Sequence, residues 1–313
     1  MIKTVILDTD IGGDVDDALA LCLAMRSPEI DLALVTTVHA DTVLRARVAR
    51  KLLQLDGHYD VPVAAGCDRP LLRRSVPQMD GHEGRGLLVD ERDGLPIAQG
   101  HAVDYIIKLI MDSPEPPTLV TIGPLTNIAL AIIKEPAIIQ RLAEVVIMGG
   151  YVYPAVVGGQ VLGVKADYNL VSDPEATQLV LEAGWPIVLV PIEITTRVWF
   201  DDADRERLRS AGTPLTDALS TQIDIWLEVL EQSLSQPSTW PQEAARAFLH
   251  DPLALATAYD RRFVTLTPMH IRVYMEDGVP RTLPDPLKSP NMLVATEVNA
   301  PAFRRFLLER LIA

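Results

Sequence analysis

Short apolar runs rich in β-branched residues recur along the chain and alternate with stretches of helical character. The runs that we predict as strands cover residues 4–10, 32–38, 61–66, 118–123, 145–150 and 186–192. Between them lie helical stretches such as ALALCLAM and TVLRARVARKLLQL. Near-continuous apolar strands that alternate with helices are typical of a parallel sheet covered on both faces. The sequence therefore predicts the α/β class, with an open, mostly parallel, helix-covered sheet and a Rossmann-like core.

The last part of the chain continues this pattern. Residues 263–275 and 292–299 are predicted as strands, followed by a closing helix with the sequence APAFRRFLLERLIA. The turn-rich segments 151–160 and 280–291 are predicted as loops because glycine or proline interrupts them. Since neither a linker nor an internal repeat is visible, we expect a single domain that covers residues 1–313.

The charge and the cysteine content restrict the partners and the compartment. The formal net charge is −14, which argues against nucleic acid or an anionic membrane as a partner, because both attract basic surfaces. No stretch approaches about 18 consecutive apolar residues, so we expect no membrane span. Two cysteines, Cys22 and Cys67, make neither a disulfide framework nor a metal-site pattern, and a reducing cytoplasm is the expected location.

The stretch DTDIGGDVDDALAL crowds five aspartates between the first strand and the first helix: Asp8, Asp10, Asp14, Asp16 and Asp17. Ligands of an open parallel sheet bind outside the carboxyl ends of its strands, so these acids should face that crevice. A helix dipole and an N-cap at Asp14 account for some of the acids, but they do not account for Asp8 and Asp10. A cluster that repels itself in this way needs a cation or strong donors nearby.

Oxygen-rich ligands without thiolates suit a hard ion, Ca²⁺ or Mg²⁺. An EF-hand is excluded, because the twelfth loop position counted from Asp8 is Leu19 and a strand precedes the loop. A phosphatase of the haloacid-dehalogenase type also places D-x-D after its first strand, as Asp8 and Asp10 do here. That alternative stays open, although no convincing later acidic pair is visible.

Four segments, in order, resemble the inosine-uridine-preferring nucleoside hydrolase family. The family signature D-x-D-x-G-x-D-D appears here as DTDIGGDVDD, with two extra residues before the final acidic pair. The others are IGPLTNIALA, VVIMGG with ADYNLVSDPEA, and HDPLALA. The resemblance covers nearly the whole chain and implies the family's fold, a homodimer or homotetramer, and Ca²⁺ as cofactor.

The activity that this resemblance implies is hydrolysis of the N-glycosidic bond of a ribonucleoside or a related N-riboside. It makes Asp10 both a metal ligand and the base that activates the attacking water, and it makes His250 the candidate acid for departure of the nucleobase. The remaining metal ligands that it implies are Asp17, Asp251 and the backbone carbonyl of Thr126. The implied ribose ligands and neighbours are Asp16, Asn169, Asp167 and Met148. Carboxylates near the sugar suit this chemistry, because cleavage passes through an oxocarbenium-like centre.

The departures from the family pattern concern the sugar and base pocket. Asp41 stands where the family commonly has Asn, and the H-G-x-D/E-G loop is matched by DGHEG, in which His82 and Glu83 are candidate polar contacts. The two extra residues leave open whether Asp14 takes the sugar-binding role assigned to Asp16. Trp226 is a candidate for stacking on the base, although aromatic residues at helical spacing are usually packing. The changed pocket also leaves open a nucleoside or ribose binder without catalysis.

Overall fold

The structure, a computed structural model, describes residues 2–72, 76–88, 96–164, 167–234, 241 and 245–313. Its strands are β1 (Lys3–Thr9), β2 (Ile30–Thr37), β3 (Val63–Ala65), β4 (Thr118–Thr121), β5 (Glu144–Met148), β6 (Ala155–Val157), β7 (Gln160–Leu162), β8 (Ile187–Val190), β9 (Trp199–Phe200), β10 (Ala247–Phe248), β11 (Val264–Met269), β12 (Ile271–Glu276), β13 (Val279–Pro284) and β14 (Met292–Val298). Its helices are α1 (Asp16–Met25), α2 (Thr42–Leu55), α3 (Ala102–Asp112), α4 (Thr126–Lys134), α5 (Tyr168–Ser172), α6 (Pro174–Leu181), α7 (Ile192–Thr195), α8 (Asp202–Ser210), α9 (Pro214–Leu234), α10 (His250–Tyr259) and α11 (Ala300–Ile312).

Eight strands form the central sheet in the order β11-β14-β8-β5-β4-β1-β2-β3. All neighbouring pairs are parallel except β11 and β14, which are antiparallel at one edge. This arrangement confirms the prediction of a mostly parallel α/β sheet. An antiparallel edge strand on a parallel sheet is a common variant of this class.

Helices cover both faces of the sheet and divide the core into two apolar layers. One layer includes Leu21 of α1, Leu255 of α10 and Phe303 of α11. The other includes Ile106 of α3 and Ile128 of α4. Each such side chain contributes about 1.5–3 kcal/mol through its removal from water. Every residue of α1 is buried, which explains why its sequence is apolar on all sides after the opening acids.

The two segments predicted as loops contain short strands. Residues 279–284 form β13, which pairs with β12 as an antiparallel hairpin, so the loop prediction for 280–291 was wrong over its first half. The prediction missed an alternation in which Pro280 and Thr282 are buried and their neighbours are not. Similarly, β6 lies within the segment predicted as a loop at 151–160, and it forms a hairpin with β7, which begins at the last residue of that segment.

None of the helices in the described part of the chain is both long and apolar enough to cross a membrane.

A buried amide holds the carboxyl ends of β1 and β2 together. Asn127, at the start of α4, donates from Nδ2 to Asp8 Oδ1 (2.8 Å) and to the Thr37 carbonyl (3.0 Å). Its Oδ1 accepts from the Cys67 backbone N–H at 2.8 Å. The side chain lies so close to Gly66 that a Cβ there would come within 2.2 Å of it. Position 66 therefore has to be glycine for steric reasons.

We expect Gly66→Ala to destabilise the fold by about 1–3 kcal/mol, because the added methyl group displaces the Asn127 amide from its three partners. Urea unfolding measures the change in the free energy of unfolding. Gly163→Ala is the matched control, since a Cβ at that position meets nothing within 4 Å. Equal stabilities of the two variants would contradict the proposed steric conflict.

Candidate active site

A cavity of about 550 Å³ opens at the carboxyl ends of the central strands. That volume is within the usual range for a small-molecule site, about 300–1,000 Å³. Ten of the predicted site residues line it: Asp10, Asp14, Asp16, Asp17, Met148, Asp167, Asn169, Trp226, His250 and Asp251. The loops that follow β1, β4 and β5 meet here because these strands are neighbours in the sheet. This is the position at which open α/β sheets bind ligands.

The loop between β1 and α1 directs its acids toward this cavity. Gly12 adopts φ of 112°, a left-handed conformation that favours glycine, and so permits the sharp turn. Helix α1 has no side-chain cap. The carboxylate of Asp14 instead accepts from the N–H of its neighbour Val15 at 2.6 Å. Helix capping therefore does not explain Asp14.

Carboxylates from two distant parts of the chain come together at this loop. Oxygen atoms of Asp16, Asp17 and Asp251 all lie within 4.8 Å of one another, and these three side chains are buried. Asp251 lies in the first turn of α10, and its backbone N–H donates to Asp16 Oδ2 at 3.3 Å. A second group, within the same distance limit, joins Asp14 and Asp16 to His250. This oxygen-rich arrangement suits a hard divalent cation.

Burial raises the pKa of each of these carboxyls, and repulsion from the neighbouring acids adds to the effect. The pKa of Asp14 rises to about 8. The pKa values of Asp16, Asp17 and Asp251 lie well above their usual range. Among the described residues, none of these four carboxylates has an ion-pair partner. At Asp17, a hydrogen bond from the Thr9 hydroxyl and the nearby Arg45 guanidinium oppose this shift.

Arg45 of α2 is a buried cation beside the cluster, and the sequence analysis missed it. Its Nε donates to the His39 carbonyl at 2.8 Å, and its Nη1 donates to the carbonyls of Asp10 and Ile11. Burial raises the pKa of Asp10, and the Arg45 guanidinium opposes this shift. Arg45 therefore fixes the backbone of the Asp10 loop while it attracts the negative charge. The sequence signal that could have indicated Arg45 is its position on the inner face of an amphipathic helix.

Asp8 belongs to the framework beneath the site. It is fully buried, does not line the cavity, and accepts hydrogen bonds from Thr36 and Asn127 on Oδ1. Burial, which outweighs these hydrogen bonds, raises its pKa to about 7. A phosphatase of the D-x-D type requires the first aspartate to attack the substrate. The position of Asp8 therefore argues against that alternative.

On one side of the cavity, Asn169 connects the carboxyl ends of β4 and β5. Its Nδ2 donates to the carbonyls of Ile122 (3.0 Å) and Met148 (3.2 Å). Asp167 accepts from the Gly150 N–H at 2.9 Å, and burial raises its pKa to about 6. Tyr168 also lines the cavity, although the sequence analysis did not single it out.

The backbone ligand predicted at Thr126 is not supported. Thr126 is the first residue of α4 and does not line the cavity, and its hydroxyl donates to Asp173 Oδ2 at 2.7 Å. In the same turn it is Ile122 that lines the cavity. A Cβ on the adjacent Gly123 would come within 2.8 Å of Asp10, so this end of the turn is the part that approaches the acids.

Three further candidates lie outside the cavity lining. Asp41 is exposed and caps α2 by accepting from Leu44 N–H at 2.9 Å, because it stands at the start of that helix. Glu83 accepts from the backbone N–H groups of residues 80 and 81 and so closes its own turn. His82 is buried behind the wall, where Nε2 lies 3.0 Å from the Gly13 carbonyl. These contacts do not support direct substrate binding by the three residues.

The opposite side of the cavity is formed by α9 and the segment that leads into α10. Trp226 lines it and stacks on His82, with ring centroids 5.9 Å apart. His250 is held through Nδ1, which lies 2.6 Å from Thr195 Oγ1. Burial lowers the pKa of His250 to about 4, so the ring is neutral near pH 7. The sequence did not indicate Thr195, because this residue lies 55 positions before His250 in the chain.

The comparisons with known proteins agree with this geometry. The sequence model for "Inosine-uridine preferring nucleoside hydrolase" matches residues 5–305. The chain belongs to this family. The resemblance predicted from the sequence is thereby confirmed, and with it the assignment to an enzyme family of nucleoside hydrolases.

Relatives within the nucleoside hydrolase family differ in the bases that their names specify. The chain is 35% identical to an inosine-uridine preferring nucleoside hydrolase of Leishmania major over 82% of both chains. It is 34% identical to the pyrimidine-specific ribonucleoside hydrolase RihA of Enterobacter, over 82% of this chain and 79% of that one. A purine-preferring ribonucleoside hydrolase from Gardnerella vaginalis has the same fold, with a TM-score of 0.87, 26% identity, and coverage of 99% and 98%.

The buried acids of this nucleoside hydrolase predict how the stability of the fold depends on pH. Because the pKa values of Asp8 and Asp14 are raised to about 7 and 8 in the folded state, the folded chain binds more protons than the unfolded chain. The contribution of these two carboxyls to the free energy of unfolding is fully present below the unfolded pKa of about 4. It is lost as the pH rises through about 8. We expect the melting temperature of metal-free protein to fall over this range.

The same measurement with added Ca²⁺ should give a smaller fall, because a bound cation favours the charged carboxylates. Differential scanning calorimetry in chelator and in calcium compares the two slopes. A melting temperature of the metal-free protein that rises toward pH 8 would contradict this account of the cluster.

Proposed function

We propose that this nucleoside hydrolase family member is a Ca²⁺-dependent enzyme that hydrolyses the N-glycosidic bond of ribonucleosides to ribose and free base. The observation that carries the proposal is the buried carboxylate group of Asp16, Asp17 and Asp251, which lies beside Asp10 in the cavity. In a chain of this family, such a group is best explained as a metal and ribose site. A cytoplasmic location and an assembly of two or four copies stay predictions.

The donor set fits a hard cation. Asp10, Asp17 and Asp251 are the proposed ligands, and Ile122, in place of Thr126, is the residue from which a backbone ligand would come. A bound Ca²⁺ supplies a Lewis acid that orients the ribose hydroxyls and lowers the pKa of a nearby water.

The residues of the chain then have distinct roles. Asp10 removes the proton of the attacking water, and Arg45 keeps the loop of Asp10 in place through its backbone carbonyls. Asp16, or Asp14 in its place, accepts a hydrogen bond from a ribose hydroxyl. Asn169 and Asp167 bind the other side of the sugar, with Met148 packed beside it.

His250 is the proposed proton donor to the departing base. In the free protein it is neutral, and its Nδ1 is paired with Thr195. A bound cation would favour the charged forms of Asp14 and Asp16, and these charges would in turn favour the protonated ring of His250. Thr195 is a positioning residue, because its hydroxyl fixes the orientation of the ring.

Release of reducing sugar from a panel of ribonucleosides tests the activity. We expect release in calcium and its loss after chelation. Calorimetric binding of a nucleoside without any release would instead favour the non-catalytic binder. Beryllofluoride inhibition of a Mg²⁺-dependent phosphatase activity would favour the D-x-D alternative.

Asp10→Asn should reduce kcat by at least about 100-fold, because the amide cannot accept the proton of water, while the fold is retained. Steady-state kinetics and calorimetry on the same preparation measure both effects. Asp60→Asn, at an exposed position, is the control and should behave as wild type. Full activity of the Asp10 variant would show that another residue is the base.

Thr195→Val is expected to lower kcat about tenfold or more, since valine has a similar shape but cannot bind His250 Nδ1. Thr195→Ser keeps the hydroxyl and should recover most of the activity. Equal losses in the valine and serine variants would indicate a packing role for this residue instead.

A further inference from the structure

Two acids of the cavity are not explained by the proposed calcium site. With Asp10, Asp17 and Asp251 as ligands of that ion, Asp14 and Asp16 are left without a cation. Asp14 does not cap α1, and Asp16 is only 3% exposed. Their oxygen atoms lie within 4.8 Å of each other, so the two charges repel. Like charges held together in a buried place need a further source of positive charge.

The charge balance of the cavity leads to the same requirement. Five of the carboxylates that line it belong to this cluster: Asp10, Asp14, Asp16, Asp17 and Asp251. One Ca²⁺ and the Arg45 guanidinium supply three positive charges against these five negative ones. A second divalent cation provides the two charges that are missing, and its effect is strong because the cluster is largely withdrawn from water.

His250 supplies a nitrogen ligand next to the two acids. One nitrogen of its ring and one oxygen each from Asp14 and Asp16 lie within 4.8 Å of one another. The Thr195 hydroxyl donates to the Ile192 carbonyl at 3.3 Å, so it accepts from His250 Nδ1, which is 2.6 Å away. Nδ1 therefore carries the proton of the neutral ring, and the lone pair is on Nε2. Among the described residues, Nε2 has no hydrogen-bond partner, and the ring lines the cavity.

A histidine held in this way is prepared to bind a metal. Metal-binding histidines donate their other ring N–H to a fixed acceptor, which sets the tautomer and the orientation of the ring. One imidazole with two carboxylates suits a borderline ion such as Zn²⁺, whereas Ca²⁺ prefers oxygen ligands alone. This donor set therefore differs in chemistry from the group of three aspartates.

We propose that Asp14, Asp16 and His250 form a second metal site, which binds Zn²⁺ or a similar borderline divalent ion beside the calcium site. Asp16 belongs to both groups of potential ligands, so it can bridge the two ions. The second ion and the proton that His250 delivers to the departing base need the same lone pair on Nε2. The ion also occupies the carboxylates that bind the ribose. It is therefore an inhibitor of hydrolysis, and this consequence, unlike the binding itself, rests on the proposed function.

Calorimetric titration of Ca²⁺-saturated protein with Zn²⁺ tests the site directly. We expect one Zn²⁺ per chain, bound without displacement of calcium. His250→Gln and Asp14→Asn should each weaken Zn²⁺ binding at least about tenfold, because each removes a ligand. Thr195→Val should weaken it about tenfold, because it removes the acceptor of Nδ1, and Thr195→Ser should restore it. Wild-type affinity in His250→Gln, or Zn²⁺ that binds only by replacing Ca²⁺, would overturn the proposal.

His58→Gln is the matched control for adventitious binding. His58 also lies beside a carboxylate, with Nε2 3.5 Å from Asp56 Oδ2, but this pair does not line the cavity. We expect the Zn²⁺ affinity of this variant to equal that of wild type. Loss of Zn²⁺ binding in His58→Gln with retention in His250→Gln would place the ion outside the cavity and contradict the proposed site.

The rate of ribose release tests the inhibitory role separately. In saturating Ca²⁺, we expect Zn²⁺ to raise the apparent KM for a ribonucleoside at least about tenfold, because ion and sugar compete for the same carboxylates. The residual activity of Asp14→Asn should be insensitive to the Zn²⁺ concentrations that inhibit wild type. Full activity of the zinc-saturated protein would overturn the inhibitory role. Zn²⁺ binding that depends on His250, in a protein that releases no ribose, would support the second site and reject the proposed function.

Discussion

Repulsion among buried carboxylates is the constraint around which the rest of this structure is arranged. The acids at the end of β1 and the start of α1 are held together with Asp251, although each raises the pKa of its neighbours. Such a cluster lowers the stability of the metal-free fold, and the apolar layers on both sides of the sheet have to offset that cost. A helix buried on every side, as α1 is, anchors the loop that carries the charge.

The residues that the structure describes contribute little compensating charge to this cluster. Arg45 is the cation beside the cluster, and its nitrogen atoms bind the backbone carbonyls of His39, Asp10 and Ile11. It therefore stiffens the loop more than it neutralises the carboxylates. Because Arg45 binds backbone carbonyls, Asp17 and Asp251 stay available to an external cation. A metal-dependent hydrolase requires such an arrangement.

The sequence predicted the sheet and the acidic half of the site because both depend on local patterns. The apolar strands carry period and length signals, and the acids of the first loop are adjacent in sequence. Side-chain direction is not a local property. Asp41 was expected at the sugar, but the first turn of α2 needs a cap and takes its carboxylate. Thr126 and Ile122 are four residues apart in one turn, and only the folded loop shows which of them lines the cavity.

The side of the cavity formed by α9 and the segment that leads into α10 was the least predictable part of the site, because its residues come together through tertiary contacts alone. Trp199, Arg246 and His250 belong to different elements, and a short antiparallel ribbon aligns them. No residue type in that group signals a base pocket by itself, since tryptophan usually packs in the interior and arginine is common on surfaces. Heterolysis of a glycosidic bond separates charge along one axis, and an enzyme that stabilises both ends of that axis lowers the barrier more than one that stabilises the sugar alone.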